Sequence, residues 1–306
     1  MLDPRRLQVL SAVVEAGSVT AAAAILGYTP SAISQSIAAL ERETGSMLFE
    51  KAGRGIRPTQ AGRLLAGYAE AIGRQLADAE AALAALRAGQ QGRLRLAAFG
   101  TAGANLVPPA LARFRSVHPA VQMDLSVAEI DEALALLRSG RIDLAVIAEH
   151  GVPASTSDSS LVHRRLLDDS YRMVLPRTHW LAGRSTVALA DLADDPWIAT
   201  RSARCDTRPV VSAACGRAGF TPRFAIEADE FATTLGFVAA GLGVAMVPLL
   251  GLGFVPDTVR VRRVREDEPV RYVYAVTRKQ IADQAAVRGM LEALDQSARS
   301  YLATAA

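Results

Sequence analysis

Two short helices joined by a tight turn are predicted between Ser18 and Leu40, and this stretch constrains the chain more than any other. The first helix is expected to run from about Val19 to Leu26, with Ser18 as its N-cap, and Gly27 turns the chain. Thr29 then caps a second helix, and Pro30 occupies its first position, where the missing N–H would be unpaired anyway.

The second helix has two contrasting faces. Ile33, Ile37 and Leu40 recur at helical spacing and predict a buried stripe, whereas the opposite face is small or uncharged: Ser31, Ser34, Gln35 and Ala38. Short hydroxyls reach phosphates, an amide pairs with adenine, and no carboxylate repels the DNA backbone. We therefore predict a helix for the major groove, with these DNA contacts: Thr29, Pro30, Ser31, Ser34 and Gln35. The alternative is a helical hairpin inside a larger helical core.

The stretch from Met47 to Thr59 predicts a short β-hairpin, a wing, with glycines at its tip. From residue 51 to residue 63 the chain carries four positive residues and no negative one: Lys51, Arg54, Arg57 and Arg63. A positive tip can meet a phosphate chain or enter a minor groove. Arg54 and Arg57 are therefore predicted DNA contacts.

The run from Gly17 to Gly62, GSVTAAAAILGYTPSAISQSIAALERETGSMLFEKAGRGIRPTQAG, resembles the N-terminal winged helix-turn-helix of LysR-type transcriptional regulators. The resemblance implies a sequence-specific DNA-binding regulator controlled by a small-molecule effector in a C-terminal domain. It also implies the partners: double-stranded DNA with a pseudo-palindromic operator, the effector, a second copy in a homodimer or homotetramer, and RNA polymerase as a further possibility.

Length and composition fit this interpretation without proving it. The chain has 306 residues, which indicates more than one domain, and its net charge of +3 permits nucleic acid as a partner but does not demand it. No apolar run approaches the ~18 residues needed to span a bilayer, and the N-terminus lacks the apolar core of a signal peptide. We expect a cytoplasmic protein with no membrane partner.

A long helix is predicted over residues 59–91. Apolar residues recur along it with spacings that alternate between four and three: Leu65, Ala69, Ile72, Leu76, Ala79, Leu83 and Leu86. So narrow a seam on a helix of this length favours pairing with the same helix of a second chain, which makes these residues the predicted dimerisation contacts. The alternative is a helix that lies on its own C-terminal domain.

From residue 92 onward strand and helix patterns alternate, which predicts parallel sheets with helices on their faces. The Gly-, Ser- and Pro-rich stretch 151–160 is expected to be a crossing between two lobes. The charged segment Arg260–Glu268 precedes Val270–Val276, which is the predicted return strand into lobe I. The predicted fold is multidomain: a mainly α winged helix-turn-helix, a linker helix, and an α/β two-lobed effector domain similar to periplasmic binding proteins. The predicted boundaries are 1–58, 59–91, 92–161 with 268–306 (lobe I), and 162–267 (lobe II).

Ligands of open α/β sheets bind beyond the carboxyl ends of the strands. That rule selects the residues after each predicted strand as effector contacts: Thr101, Ala102, Glu129, Ala148, Thr200, Arg201, Glu230 and Phe231. By resemblance, Thr101, Thr200 and the segment around Glu230 line the effector cleft of the family. A helix cap or a surface charge is the competing interpretation for each polar residue among them. Glu129 and Glu230 leave a zwitterion, a cation or a hydroxylated neutral effector open.

Cys205 and Cys215 support an alternative function. They lie ten residues apart, in the segment where, by resemblance, the peroxide-sensing members of the family carry their redox pair. Neighbouring arginines would lower the pKa of Cys205, but Cys215 lies in an apolar helical pattern where a buried thiol is the default. A thiol-redox-sensing regulator is therefore the second hypothesis.

Catalytic chemistry finds no support in the sequence. The 4 histidines lie far apart, and the chain has no GxSxG, P-loop, HExxH or CxxC motif. We predict no catalytic residue, no metal site and no cofactor. A cytosolic solute-binding protein is a further alternative, but the DNA-binding head and the apolar seam argue against it.

Overall fold

The computed structural model describes residues 2–52, 55–87, 92–150, 158–201, 206–265 and 268–305. Two of the predicted functional residues, Arg54 and Cys205, lie outside these ranges. The chain divides into two compact units. The first contains residues 1–95 with two short later segments, and the second contains most of the C-terminal domain.

The N-terminal head is a winged helix-turn-helix that continues into a long helix. Its elements are α1 (Pro4–Ala16), α2 (Val19–Leu26), α3 (Pro30–Thr44), β1 (Phe49–Ala52), β2 (Gly55–Pro58) and α4 (Gln60–Arg87). The predicted caps are confirmed: Ser18 Oγ accepts from the Ala21 N–H at 3.1 Å, and Thr29 Oγ1 accepts from the Ala32 N–H at 3.2 Å. Gly27, at φ 70°, ends α2 in the left-handed conformation that favours glycine.

The head has one hydrophobic core, which α1, α2, α3 and the beginning of α4 share. Leu10, Ile33 and Leu40 are fully buried in it. Where α4 begins, Gly62 packs directly on the backbone that leads into the wing, because a Cβ there would lie 2.1 Å from the Leu48 carbonyl oxygen. Glycine is thus required for the close approach of α4 to the wing.

The C-terminal effector domain alternates strands and helices as predicted. Its strands are β3 (Arg93–Ala98), β4 (Gln122–Val127), β5 (Leu144–Glu149), β6 (Leu161–Pro176), β7 (Thr186–Val187), β8 (Pro196–Thr200), β9 (Arg223–Ala228), β10 (Ala245–Pro248), β11 (Val259–Val264) and β12 (Val270–Arg278). Its helices are α5 (Gly100–Asn105), α6 (Val107–Val117), α7 (Ile130–Arg138), α8 (Arg208–Arg217), α9 (Phe231–Ala239) and α10 (Ala285–Ala305).

The main sheet is mixed rather than parallel, so the predicted sheet type is wrong. Its strand order is β4-β3-β5-β12-β6-β11-β7, and β10 also pairs with β6. β3 and β5 run parallel, but β12 is antiparallel to both β5 and β6. The chain returns into lobe I through β12, and this return reverses the strand direction at the centre of the sheet.

The crossing between the lobes lies inside one long strand. Residues 161–170 of β6 pair with β12, and residues 171–176 pair with β10 and β11. Most of the predicted crossing, residues 151–157 of the stretch 151–160, lies outside the described residues, and the predicted boundary between residues 161 and 162 stays a prediction. Part of the charged segment Arg260–Glu268 lies in strand β11, Val259–Val264, and β12 follows it as the predicted return strand.

Within the described ranges, no helix is both long enough and apolar enough to cross a bilayer.

Candidate DNA interface and effector site

Helix α3 buries one side and exposes the other, as the sequence predicts. Ile33, Ile37 and Leu40 are buried in the head core, and the opposite residues are exposed: Ser31, Ser34, Gln35 and Ala38. The exposed side carries no charge over these positions. It does not pack into the interior of its own head, which excludes the alternative of a hairpin inside a larger helical core.

Hydrogen bonds decide which polar groups on α3 remain available. The N-cap bond uses a lone pair of Thr29 Oγ1, so the hydroxyl hydrogen is free to donate to a phosphate. Ser34 donates instead to the Pro30 carbonyl at 3.0 Å and must turn away from it to reach another acceptor. Gln35 makes no hydrogen bond to the described residues, so its amide is available for base recognition.

Glu41 connects α3 to the wing, and the sequence analysis did not identify it. Its Oε1 accepts from the Leu48 N–H at 2.8 Å and from the Phe49 N–H at 3.3 Å, where β1 begins. Thr59 fixes the other end of the hairpin, because its Oγ1 donates to the Met47 carbonyl at 2.8 Å. A single carboxylate on α3, that of Glu41, therefore sets the position of the first wing strand, β1.

Arg57 lies on the exposed wing strand β2, as expected of a DNA contact. Its Nε is 2.8 Å from Glu50 Oε1 on the paired strand, and both side chains are at least half exposed. Glu50 lies just before the stretch 51–63, whose four positive residues predicted a positive wing. In the described part of the wing, the positive charge is therefore smaller than predicted.

The apolar seam of α4 is partly used within the head. Ala69 is 4% exposed and Leu65 packs against the same core, so neither presents the surface predicted for a second chain. The exposed apolar residues start one position earlier and form what we call the α4 stripe: Leu64, Tyr68, Ile72, Leu76, Ala79 and Leu83. The side chain of Leu86 lies outside the description.

In the effector domain, Thr101 lies at the start of α5, where the strand-end rule predicts it. Arg271 Nη2 donates to Thr101 Oγ1 at 2.7 Å, and Arg271 Nε donates to Asp169 Oδ2 at 2.7 Å. Asp169 and Arg271 are cross-strand partners on β6 and β12. The guanidinium carbon also lies 5.0 Å from the centroid of the Phe99 ring. The sequence analysis identified Thr101 but missed both charged residues.

Asp169 is completely buried, and it links the lobes. Besides Arg271, its carboxylate accepts from the Leu250 N–H at 3.0 Å. Burial raises the pKa of this carboxyl, and the charge of Arg271 opposes the rise. The same segment of lobe II is held by Asn105, which donates to the Leu250 carbonyl at 2.8 Å, and by Tyr301, which donates to the Leu249 carbonyl at 2.7 Å.

His150 follows β5 close to this network. Its Nε2 lies 3.2 Å from the Tyr171 hydroxyl. Burial lowers the pKa of His150, and the positive charge of Arg271 lowers it further. The neutral imidazole is therefore the form that the folded domain favours.

Three of the predicted effector residues are structural instead. Thr200 is 2% exposed, and its hydroxyl bonds to that of Thr234 at 2.8 Å. Phe231 packs in the core under α9, and Ala102 has no exposed surface. Ala102 and Phe231 follow a strand and Thr200 ends one, but the side chains of all three are buried.

The other predicted effector residues keep some exposed surface. Arg201 pairs with Glu227 at 2.9 Å at the surface, and Glu230 begins α9 without a side-chain cap bond. Glu129 and Ala148 are partly exposed after β4 and in β5. None of these contacts joins them to Thr101.

Cys215 behaves as a buried apolar residue. It has no exposed surface, and burial raises the pKa of its thiol to about 12, so the reactive thiolate is scarce at neutral pH. Across the described ranges, no group of three or more His, Cys, Asp or Glu side chains could hold a metal ion.

Two family models match the chain. One, described as "Bacterial regulatory helix-turn-helix protein, lysR family", covers residues 4–63, and the other, "LysR substrate binding domain", covers residues 87–299. The chain belongs to the LysR family. It is a transcriptional regulator with a helix-turn-helix DNA-binding domain and a substrate-binding domain.

Curated relatives and solved structures agree with this assignment. The chain is 33% identical over 255 residues to the probable HTH-type transcriptional regulator LrrA of Synechococcus elongatus, covering 83% of each chain. It is 32% identical to a probable hydrogen peroxide-inducible genes activator of Mycobacterium avium, covering 79% of this chain and 76% of the relative. Full-length CbnR in complex with its target DNA shares the fold at 22% identity and a TM-score of 0.67, over 97% of this chain and 100% of CbnR.

Proposed function

We propose that this LysR-family regulator recognises its operator with the exposed side of α3. The contacts to base edges and phosphates come from the start of α3: Thr29, Pro30, Ser31, Ser34 and Gln35. The contacts to the phosphate chain come from two wing arginines, Arg54 and Arg57. The observation that carries this proposal is the uncharged, exposed face opposite the buried Ile33 and Ile37. Such a face can enter the major groove without repelling the DNA.

The second element of the proposal is a homodimer, formed through the α4 stripe. Its large apolar side chains are 39% to 64% exposed, which is unusual for a helix that stays in water. Two heads held at a fixed separation read the two halves of a pseudo-palindrome. We also propose that the dimer pairs into a tetramer and acts on RNA polymerase in the cytoplasm.

The third element is control by a small molecule in the effector domain. Thr101, Glu129, Ala148, Arg201 and Glu230 are proposed contacts, because each keeps exposed surface at or beyond a strand end. An effector that prefers one arrangement of the lobes shifts the population of DNA-bound assemblies. If the effector bound with equal affinity to the protein on straight operator DNA and to the protein on bent operator DNA, this coupling would be ruled out.

Operator binding tests the proposal directly. Genomic fragments that the purified protein retains are sequenced, and binding to one such operator is followed by fluorescence anisotropy. Gln35→Ala should weaken the binding free energy by about 1–3 kcal/mol through one base pair of the operator and relax sequence specificity at that base pair. Gln8→Ala is the matched control, because Gln8 is an exposed glutamine on α1.

Arg57→Ala should instead weaken all DNA sequences alike and flatten the salt dependence of binding. If Arg57→Ala changed base preference and Gln35→Ala changed only the salt dependence, the two proposed roles would be exchanged. If the wild-type protein ignored duplex DNA at low ionic strength, the proposed function would fail.

A further inference from the structure

A cavity of about 440 Å³ opens between β6, β11 and the segment that leads into β7. Volumes of roughly 300–1,000 Å³ are typical of sites that hold small molecules. None of the proposed effector contacts lines this cavity. Most of its lining residues are polar: Ser170, Arg172, Ser185, Arg262, Arg263 and Glu268. The cavity is therefore large enough and polar enough for a ligand of its own.

The cavity lies on the face of β6 that is opposite to Asp169. Successive side chains of a strand point to opposite faces, so Ser170 and Arg172 share one face and Asp169 lies on the other. On its own face, Asp169 pairs with Arg271, which bonds to the proposed effector contact Thr101. Strand β6 therefore separates the cavity from that effector contact.

Arg172 keeps a pair of donors that the folded protein does not use. Its Nη1 donates to Glu268 Oε2 at 2.7 Å and to the Tyr171 carbonyl at 3.2 Å. Nε and Nη2 make no hydrogen bond to the described residues, and neither is a buried atom. The N–H groups of Nε and Nη2 are parallel and form a fork that matches two oxygens of a phosphate or a carboxylate. Because Arg172 lines the cavity, this fork is available to a ligand there.

Glu268 holds the guanidinium of Arg172 in place before a ligand arrives. Its Oε2 accepts from Arg172, and its Oε1 accepts from Arg263 Nε at 3.1 Å. The side chains of Arg172 and Glu268 are only 15% and 13% exposed, so they have little room to move apart. A donor fork that is preorganised in this way loses little conformational freedom on binding.

Two serine hydroxyls add further donors. Ser170 and Ser185 line the cavity, and their hydroxyls make no hydrogen bond to the described residues. Ser170 precedes Arg172 by two residues, which is about 7 Å along the strand. Arg262 fixes the segment that carries Ser185, because its Nε donates to the Ala182 carbonyl at 3.0 Å. Arginines and hydroxyls are the side chains that commonly bind phosphate oxygens.

We propose that the Arg172 fork and the hydroxyls of Ser170 and Ser185 bind the phosphate group of a small organic phosphate. Among the described residues that line the cavity, three are arginines and one is a carboxylate, which favours an anion. A phosphate group offers three acceptor oxygens, enough for the fork and the hydroxyls, whereas a carboxylate offers two.

The size of the cavity favours an organic phosphate over the free ion. A phosphate group fills only part of 440 Å³, and two apolar side chains, Leu249 and Val261, line the same space. They can pack against the carbon body of a ligand while the fork holds its phosphate. This site goes beyond the proposed effector contacts and does not depend on them.

Phosphorus NMR line widths measure phosphate binding to the full chain. Inorganic phosphate and phenyl phosphate are titrated at constant ionic strength, and acetate is added as a competitor. Arg172→Lys keeps a positive charge beside Glu268 but loses the fork, and Ser170→Ala loses one hydroxyl. Arg223→Lys is the control in lobe II, because Arg223 is exposed and does not line the cavity. Arg57→Ala is the control in the head, because Arg57 is a proposed contact to the phosphate chain of DNA.

We expect phenyl phosphate to bind wild type, Arg223→Lys and Arg57→Ala alike, and about tenfold more weakly to Arg172→Lys. Ser170→Ala should weaken binding about threefold. Inorganic phosphate should bind no more tightly than phenyl phosphate, and acetate should compete poorly with both.

The site is overturned if neither phosphate binds wild type, or if Arg172→Lys and Ser170→Ala both bind like wild type. Loss of binding in Arg57→Ala alone would place the phosphate on the DNA-binding head and would also overturn it. Acetate that competes as well as inorganic phosphate would overturn the preference for phosphate. Binding of inorganic phosphate without phenyl phosphate would overturn the organic ligand.

Thermal melts show whether each variant is folded, and Ser170→Ala keeps the test decisive if Arg172→Lys does not fold. Operator binding is measured on the same samples. Failure of the phosphate site with intact operator binding leaves the proposed DNA-binding function standing, whereas loss of operator binding by wild type counts against that function.

Discussion

The head and the effector domain place their polar residues in opposite environments. On α3, Ser31 and Gln35 are exposed and are positioned by a cap bond that spans three residues. At the junction of the lobes, Asp169 and Arg271 are buried and paired across 102 residues of chain, and Arg271 reaches Thr101 across 170. The exposed face of α3 therefore follows from local structure, whereas the network of Asp169, Arg271 and Thr101 exists only in the completely folded domain.

The strongest test of this contrast is Asp169→Ala. It leaves the Arg271 charge buried without its partner, which should lower the free energy of unfolding of the effector domain by about 3–5 kcal/mol. Urea denaturation followed by tryptophan fluorescence reports on this domain alone, because both tryptophans of the chain, Trp180 and Trp197, lie in lobe II.

Replacement of both partners, Asp169→Leu with Arg271→Met, should cost less than the single change, because no charge is then left unpaired. A double variant that is less stable than Asp169→Ala would show that the pair is not the source of the effect.

Gly62→Ala is the corresponding test in the head. The new Cβ would meet the Leu48 carbonyl oxygen at 2.1 Å, and α4 would have to move away from the wing. We expect a loss of about 3 kcal/mol in the stability of the head, seen as faster hydrogen exchange in head peptides by mass spectrometry. Gly67→Ala, with nothing within 4 Å of its Cβ, should be neutral or stabilising by about 0.5–1 kcal/mol.

Glu41→Ala should have a smaller effect, of about 1–3 kcal/mol, because the N–H groups of Leu48 and Phe49 lose their acceptor. Hydrogen exchange should rise at these two amides, and DNA binding should lose part of its salt dependence as the wing shifts. Glu41→Gln keeps an acceptor oxygen and serves as the control. Equal exchange in both variants would mean that the carboxylate does not position the wing.

The smallest expected effect is a pH dependence at His150. The pKa of His150 is lowered in the folded domain, so the free energy of unfolding should rise as the pH increases from that lowered pKa to 6.5. At pH values below the lowered pKa, the full loss of stability caused by protonating His150 should be present. A histidine NMR titration measures the pKa. Burial also lowers the pKa of His163, so His150→Gln is compared with wild type to isolate the His150 share. A pKa of 6.5 or above would contradict the prediction.

The sequence predicted the head well because its signals are local. The caps at Ser18 and Thr29 and the buried stripe of α3 are all confirmed. Leu65 and Ala69 were predicted to contact a second chain, but they pack within the head. The spacing of apolar residues identifies an apolar face of a helix but not the neighbour that covers this face. The core of the head covers those two residues, and the exposed stripe begins at Leu64.

The surroundings of the candidate effector residues were predicted only in part, because burial there also depends on contacts that are distant in sequence. Thr101 and Phe231 follow a strand and Thr200 ends one, but nothing local distinguishes the partly exposed residue from the two buried ones. Asp169 and Arg271 were missed because each lies in a strand whose partner is far away in sequence. A charged residue within an apolar strand pattern, such as Arg271 between Val270 and Val273, was the available signal.

The position of β12 in the sheet has a consequence for synthesis of the protein. This strand lies between β5 and β6, yet it is the last strand to be made. The ribosome finishes α4 roughly 190 residues before β12 is complete, which corresponds to about 10–40 s at bacterial and eukaryotic rates of elongation. During that interval the nascent chain has all of its DNA-binding elements but only part of the domain that regulates them.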